Sequence, residues 1–538
     1  MKHPRTYQNW IKKSESFTPF NGVIKTTKFV IVVNSPLLTD SQLEKILISI
    51  TKQSYQNWQV VVVLHDTQTV ADIFTNTLNI TTLKVECSEL MQPFNIKYSG
   101  YWALYINYYL VLAPQALWEF AVYINADKSS KSGCIYSDHD YIDREGKRHN
   151  VKFKPDWNAD LYYEQEYIAN CCVIQVDSVL HDITLNQLSS RSEMFGLIIN
   201  IDNHNRATKI EHLAKVLFHL VDGPLELNSL ESQKALQQRF NLDLKVEPTT
   251  WGQKLTWPIM KPEPLVSLII PTRNGLDILK QAIDSILAKT TYENYEIIIV
   301  DNQSDDIETI NYLKSIGNSK INVINYNHPF NYSAINNFAA EHAQGTIIGL
   351  INNDVEVISP QWLTEMVSHA IRPDIGCVGA KLYYPNDTIQ HAGVIIGIWG
   401  CAGHSHKYYP RSADGFNNRL QLVQNYSAVT AACLLVKKEL FNQVSGLNER
   451  DLTVAFNDVD FCLKVERLGV RNLWTPYAEL YHYESISRGD DATPEKRARA
   501  EKEINYMHDT WGTNTYLDPA YNPNLTLKLE DFSISRDI

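Results

Sequence analysis

The residues of this 538-residue chain that could do chemistry gather in its second half. Asn352-Asn353-Asp354 follows an apolar run, Thr346–Ile351, and leads into Val355-Glu356. Asp354 and Glu356 offer oxygen ligands to a hard cation such as Mg²⁺ or Mn²⁺, although Asn-Asp clusters are also ordinary in loops. A cation there would neutralise charge developing on a diphosphate leaving group. Asp301 closes a β-branched run, Tyr295–Val300, where a carboxylate can accept from a base or a ribose hydroxyl or simply serve a turn. Asp458 and Asp460 open the helical pattern of Ala455–Glu466, where the helix dipole alone would favour them. Cys401, His404 and His406 suggest zinc, but no fourth ligand lies nearby.

These groups must be positioned by regular elements. Val266–Ile270 and Ile297–Val300 read as strands buried on both faces of a parallel sheet. Leu279, Ala282, Ile283, Ile286 and Leu287 fall on one helical face between them. Strand, helix and strand at this spacing make a right-handed βαβ unit. The first half repeats the pattern 237 residues earlier. Phe29–Val33, a helix over Leu43, Ile46, Leu47 and Ile50, and Lys52–Val63 match their counterparts, with Ser41 and Glu44 read as a capping box. Pro248, Pro258, Pro262 and Pro264 mark a linker. The expected divisions are a tail at 1–25, a domain at 26–245, a linker at 246–263, a domain at 264–490 and a C-terminal segment at 491–538. In that last segment Thr493 is read as N-cap and Pro494 as first residue of a helix running to about His508. The tail beyond it reads as extended or packed on the surface.

Taken in order, Val266–Thr272, Val300-Asp301-Asn302, Phe330–Asn337, Asn352-Asn353-Asp354, Gln390-His391-Ala392-Gly393, Phe456–Leu463 and Leu480-Tyr481-His482 resemble the motifs of family 2 glycosyltransferases with the GT-A fold. The match is closest to bacterial enzymes of O-antigen and capsule synthesis and covers about 264–525. The resemblance implies an α/β chain of two tandem GT-A-like, Rossmann-like domains with mostly parallel sheets, plus a C-terminal helical extension. It implies inverting transfer from a UDP- or dTDP-sugar to a glycan or lipid-linked glycan, with Mg²⁺ or Mn²⁺. It assigns Asp458 as general base, and Asp354 and His482 to the metal. Thr272, Arg273, Asp301, Asn337, Asn352, Asn353 and Arg488 go to the donor, His391 and Asp460 to the acceptor. Asn352 stands where the family has the first aspartate of Asp-x-Asp, a departure that weakens the metal motif. The Gly-, His- and Tyr-rich stretch 396–417 is expected to be a mobile acceptor loop rather than a zinc site.

The first half resembles the family's two-domain members through Cys134–Asp143, Lys152–Trp157 and Val216–His219. Its metal segment, Leu104–Pro114, carries Asn107, Tyr108, Tyr109 and Leu110 at the acidic positions. Leu64 stands opposite Asp301, and Glu193 is the lone acid near the base position. Loss of catalysis is therefore expected there, and a second active site on Asp138 and Asp140 is the alternative.

Composition sets the remaining bounds. A net charge of −12 repels nucleic acid and anionic membranes. No run of about eighteen apolar residues occurs, and Met1–Arg5 opens no signal peptide. Eight scattered cysteines then read as free thiols in a cytoplasmic protein, with the inner face of the membrane as the alternative placing. Peripheral attachment through Lys2, Arg5, Lys12 and Lys13 competes with a solvated basic tail, which is preferred. A non-catalytic glycan-binding scaffold is the other reading of the whole chain. A nucleotidyltransferase would need a basic phosphate loop, and Pro271–Gly275 is a poor one.

Overall fold

The computed structural model describes residues 4–15, 27–34, 38–64, 79–84, 92–126, 132–168, 170–180, 183–184, 191–202, 208–221, 229–483 and 493–536. They fall into two compact units. One is Met1–Gln253 with Asn522–Leu525 and Ile534–Ile538; the other is Lys254–Tyr521 with Thr526–Ser533.

In the first unit, Phe29–Val33 fills β1 (Lys28–Asn34) and Val60–Val63 fills β2 (Trp58–Leu64), all buried. Helix Asp40–Thr51 joins them and turns Leu43, Ile46, Leu47 and Ile50 into the core. Its capping box is Thr39 with Gln42 rather than Ser41 with Glu44. The earlier pair wins because Thr39 already has extended backbone, which frees its hydroxyl for the Gln42 N–H. The sheet is completed by β3 (Ile80–Lys84), β4 (Tyr101–Ile106), β5 (Leu110–Leu112), β6 (Ser132–Ile142), β7 (Arg148–Lys152), β8 (Cys172–Gln175) and β9 (Lys209–Val221). Its order is β3-β2-β1-β4-β8-β6-β9-β5, with β7 beside β6. The proline-marked stretch expected as linker holds a hairpin, β10 (Lys245–Thr249) and β11 (Gly252–Thr256).

The second unit contains β12 (Val266–Thr272), β13 (Tyr295–Asp301), β14 (Ile321–Asn325), β15 (Ile347–Ile351), β16 (Val355–Val357), β17 (Ile375–Tyr383), β18 (Ile389–His391), β19 (Val394–Ile396), β20 (Ala402–His404), β21 (Gln424–Asn425), β22 (Cys433–Lys437) and β23 (Arg471–His482). Its main sheet runs β14-β13-β12-β15-β22-β17-β23-β16. This is the order of the first sheet, strand for strand. The registers agree as well: Phe29 pairs with Trp58 as Val266 pairs with Tyr295, reproducing the 237-residue offset. Both units are α/β, and each sheet holds parallel and antiparallel pairs. In the second, β14, β13, β12 and β15 are parallel. Beyond them β22 is antiparallel to β15 and to β17, while β23 is parallel to β17 and antiparallel to β16. Parallel neighbours need helical crossovers, and the periodicity shows such crossovers only around the first strands.

Both chain ends differ from expectation. Residues 4–14 form a helix whose Tyr7 and Trp10 are buried, with Trp10 edge-on to Phe153. The expected tail at 1–25 is thus in part a packed element, with Lys12 and Lys13 exposed; Lys2 lies outside the described residues. Thr493 caps helix Pro494–Trp511 with Pro at its first position, as the spacing predicts. The segment after it is not a surface strap, since Ala520, Tyr521, Asn522, Leu525 and Phe532 are buried. Among the described residues no helix is long and apolar enough to cross a membrane. Seven described cysteines are free and buried.

Candidate active site of the second unit

Three parallel strands end side by side and set the first part of the site, where open α/β sheets bind ligands. Thr272 ends β12 and pairs in register with Asp301, which ends β13. Asn353 follows β15, and its amide donates to Thr272 Oγ1 at 3.1 Å. Asp301 Oδ1 accepts the Ser304 N–H at 3.1 Å. Asn274, in left-handed backbone at φ 53, accepts the N–H groups of Asp305 and Asp306 at 3.0 Å each. The loop after β13 is therefore fixed against the loop after β12. Arg273 is exposed beside it.

The second part lies where β15 and β23 deliver Asn352, Asp354 and His482. Asp354 and His482 are both 6% exposed, and Asp354 Oδ1 stands 3.2 Å from His482 Nε2. The Asn352 amide also meets His482 Nε2 at 3.2 Å, while Tyr332 donates to Asn352 Oδ1 at 3.2 Å. Asp354 Oδ1 is buried without a hydrogen-bond donor, and a cation beside it would take the Nε2 lone pair in place of the Asn352 amide. Bonds of about 2.1 Å at right angles place adjacent ligands of a hard cation about 3 Å apart. The pair therefore fits a divalent cation. Among the described residues no group of three or more His, Cys, Asp or Glu gathers for a metal, so further ligands would come from diphosphate and water.

The third part is the start of helix Asn457–Glu466. Phe456, just before it, is held at φ 57, a strained choice for a bulky residue. Two carboxylates follow, with different fates. Asp458 is half-buried, its Oδ2 accepting the Ala431 N–H at 3.1 Å and its Oδ1 the Val459 N–H at 2.9 Å. Burial raises its pKa from the ordinary carboxylate value, and hydrogen bonds from Ala431 and Thr430 oppose the rise. Asp460 is fully buried and accepts from Trp511 at 2.9 Å and Tyr506 at 3.3 Å, with Lys464 3.4 Å away.

Four expectations change in consequence. Asp460 cannot meet an acceptor, because it is consumed inside the fold. His391, also expected at the acceptor, has no exposed surface. Asn337 is not at the donor: its amide bonds both the N–H and the carbonyl of Leu447 and so ties down the turn after Ser445. The stretch 396–417 is anchored rather than a mobile loop. Ile396 N–H donates to Asp518 and His404 N–H to Glu530, while the His406 ring stacks on Phe532 at 4.2 Å. The zinc reading falls with it, since His406 Nε2 accepts the Phe416 N–H and burial raises the Cys401 thiol. Arg488 lies outside the described residues.

Sequence reasoning missed Thr430 and Ala431, which hold Asp458, and Glu503, which is 1% exposed and accepts from Thr453, Val454 and Ala455. A glutamate on the inner face of an amphipathic helix was the available signal for Glu503. Thr430 and Ala431 carry none.

The first unit has other residues at the places of Asp354 and His482. The segment between β4 and β5 is as long as that between β15 and β16, which puts Tyr109 at the place of Asp354. Leu110 pairs with Leu220 as Val355 pairs with His482, which puts Leu220 at the place of the histidine. Asp138 and Asp140 do not replace them. Asp138 accepts from the Lys154 N–H, from Asn522 and lies 2.9 Å from His212 Nε2. Asp140 accepts from Tyr7 and Arg148 and faces His219. Both are fully buried and bonded to these neighbours, which speaks against the alternative of a second active site there.

Residues 267–444 match the family described as Glycosyl transferase family 2. The chain is 44% identical over 442 residues to an uncharacterized protein, y4gI, of Sinorhizobium fredii, covering 79% of this chain and 48% of that one. It is 32% identical over 439 residues to the O-antigen biosynthesis protein RfbC of Myxococcus xanthus, covering 79% and 34%. It is 33% identical over 135 residues to the UDP-Glc:alpha-D-GlcNAc-diphosphoundecaprenol beta-1,3-glucosyltransferase WfaP of Escherichia coli, covering 25% and 51%. The chain thus spans about half or less of the length of these curated relatives.

Proposed function

We propose that this chain, whose residues 267–444 form a glycosyl transferase family 2 domain, transfers a sugar from a nucleoside diphosphate to a glycan or lipid-linked glycan acceptor, with inversion, in surface-polysaccharide synthesis. The observation that carries the reading is the buried Asp354–His482 pair, 3.2 Å apart, in one unit with a half-buried Asp458 that has no cationic partner in its described bonds. The similarity to an O-antigen biosynthesis protein and to a UDP-glucose-dependent glucosyltransferase supports the substrate class.

The roles follow from what each group touches. Thr272, Asn353 and Asp301 hold the nucleoside at the ends of β12, β13 and β15, with exposed Arg273 at the rim. Asp354 and His482 would hold Mg²⁺ or Mn²⁺, the cation taking the place of the Asn352 amide at His482 Nε2. When bound there, the cation supplies positive charge to the departing diphosphate. Asp458 takes the proton of the acceptor hydroxyl as attack develops on the anomeric carbon, from the side opposite the diphosphate. Fixing donor and acceptor in that alignment contributes much of the remaining rate. We assign no catalysis to the first unit, in which Tyr109 and Leu220 stand at the metal positions.

A panel of UDP- and dTDP-sugars with a polyprenyl-diphosphate glycan acceptor and Mn²⁺ tests the reading by release of nucleoside diphosphate. Release is expected for one donor, abolished by chelation and by Asp354→Ala. Chelator-insensitive release that survives Asp354→Ala would contradict it.

A further inference from the structure

The Gln390-His391-Ala392-Gly393 motif has no part in the proposed chemistry as described so far, yet it is built with care. His391 ends β18 and has no exposed surface. Its Nε2 lies 3.4 Å from the Thr430 backbone N–H, which can only donate. The Nδ1 must then carry the ring proton of a neutral histidine, and it meets His404 Nδ1 at 2.9 Å. His404 is fixed in turn at the end of β20, its N–H donating to Glu530 at 2.7 Å. Desolvation, then His404 and His482, push the His391 pKa well below the ordinary imidazole value, in keeping with the neutral form.

Gly393 lets the chain leave this position. It sits at φ 95, and a Cβ there would come within 2.3 Å of the Tyr426 ring. Any side chain would push β18 and β19 away from the segment that leads from Tyr426 to Thr430.

That segment ends at the base. Thr430 is held from behind by His391, and the next residue, Ala431, donates its N–H to Asp458 Oδ2 at 3.1 Å. The Thr430 hydroxyl bonds the same carboxylate. Two consecutive backbone N–H groups therefore point to two different targets, one structural and one reactive.

We infer that His391 is a positioning residue for the base: it holds the Thr430–Ala431 turn so that the turn's donors keep Asp458 aimed at the acceptor hydroxyl. The inference rests on the assignment of Asp458 above. It makes the histidine pair part of the reaction geometry without contact to either substrate.

The test compares His391→Leu, which removes the acceptor at similar volume, with His391→Gln, whose Oε1 can still accept from the Thr430 N–H. Transfer kinetics are measured for both, with calorimetric binding of the nucleoside diphosphate and Mn²⁺ and with thermal melting. The Leu variant is expected to lose about ten- to a hundredfold in kcat, the usual scale for a small misplacement. Nucleotide affinity should stay within about twofold, since the donor contacts are elsewhere. The Gln variant should recover most of kcat. Full kcat in the Leu variant, equal losses in both variants, or a fall in nucleotide affinity matching the fall in kcat would overturn the inference. Asp458→Asn is run in parallel: retained transfer there would instead overturn the base assignment.

Discussion

Burial pushes the Asp458 carboxyl up, while the Thr430 hydroxyl and Ala431 N–H pull it back. The balance leaves a base that is stronger than an exposed carboxylate, as the proposed proton transfer requires. The acid limb of kcat/KM should therefore fall as pH drops through a value above the ordinary 3.8. Thr430→Val removes a bond to the charged form, so the limb should move to higher pH in a pH–rate profile. At this scale the sequence was partly legible. That Asp354 and His482 meet, 3.2 Å apart, could be expected because motifs in order constrain each other. His391, Asp460 and Asn337 could not be placed, because a polar residue in a motif looks the same whether it faces a substrate or the interior. Asp460 stands two residues from Asp458 on a helix, and that spacing alone turns it to another face, toward Trp511.

At the scale of elements, helix Pro494–Trp511 is what steadies the helix bearing the base. Glu503 accepts the N–H groups of Val454 and Ala455 at 2.9 and 3.3 Å, just before the strained Phe456. Glu503→Ala strands those donors and should lower stability by about 2–4 kcal/mol, read as a fall in Tm, together with a fall in kcat. The same part of the second unit holds two acids raised by burial, Glu466 to about 7 and Asp518 to about 6. Their folded values exceed the unfolded ones. The folded state thus binds more protons, and stability is fully present below about pH 4 and lost as pH rises through 6 to 7. Glu466→Gln, which mimics the protonated form, should raise Tm at pH 8 and leave it unchanged near pH 4. The βαβ units and the cap at Thr493 were legible because periodicity and capping are local. The buried C-terminal segment was not. Its partners, such as Arg419 bonding the Ala520 carbonyl at 2.8 Å, lie a hundred residues away in sequence.

The whole molecule repeats one sheet order twice and carries the Asp354–His482 pair in one copy. In the other copy Asp138 and Asp140 are buried in hydrogen bonds. Asp140, set between Tyr7, Arg148 and His219, has its pKa lowered. Its contribution to stability is present above the unfolded value of 3.8 and is lost as pH falls through the lower folded one. Asp140→Asn should therefore lower the Tm of the first unit at pH 7 while leaving sugar transfer unchanged. The offset of 237 residues made this repeat visible in the sequence, with Leu64 opposite Asp301. What the offset did not reveal is the antiparallel half of each sheet, where insertions of unequal length hide the kinship from alignment by eye.

The account stands on Asp458 acting as base in the second unit. The most direct test is the initial rate of nucleoside diphosphate release by Asp458→Asn with the accepted donor, acceptor and Mn²⁺, alongside calorimetric binding of the nucleotide. The account predicts a loss of about 10² to 10⁴-fold in kcat with nucleotide binding intact. A variant that transfers sugar at the unaltered rate would contradict it.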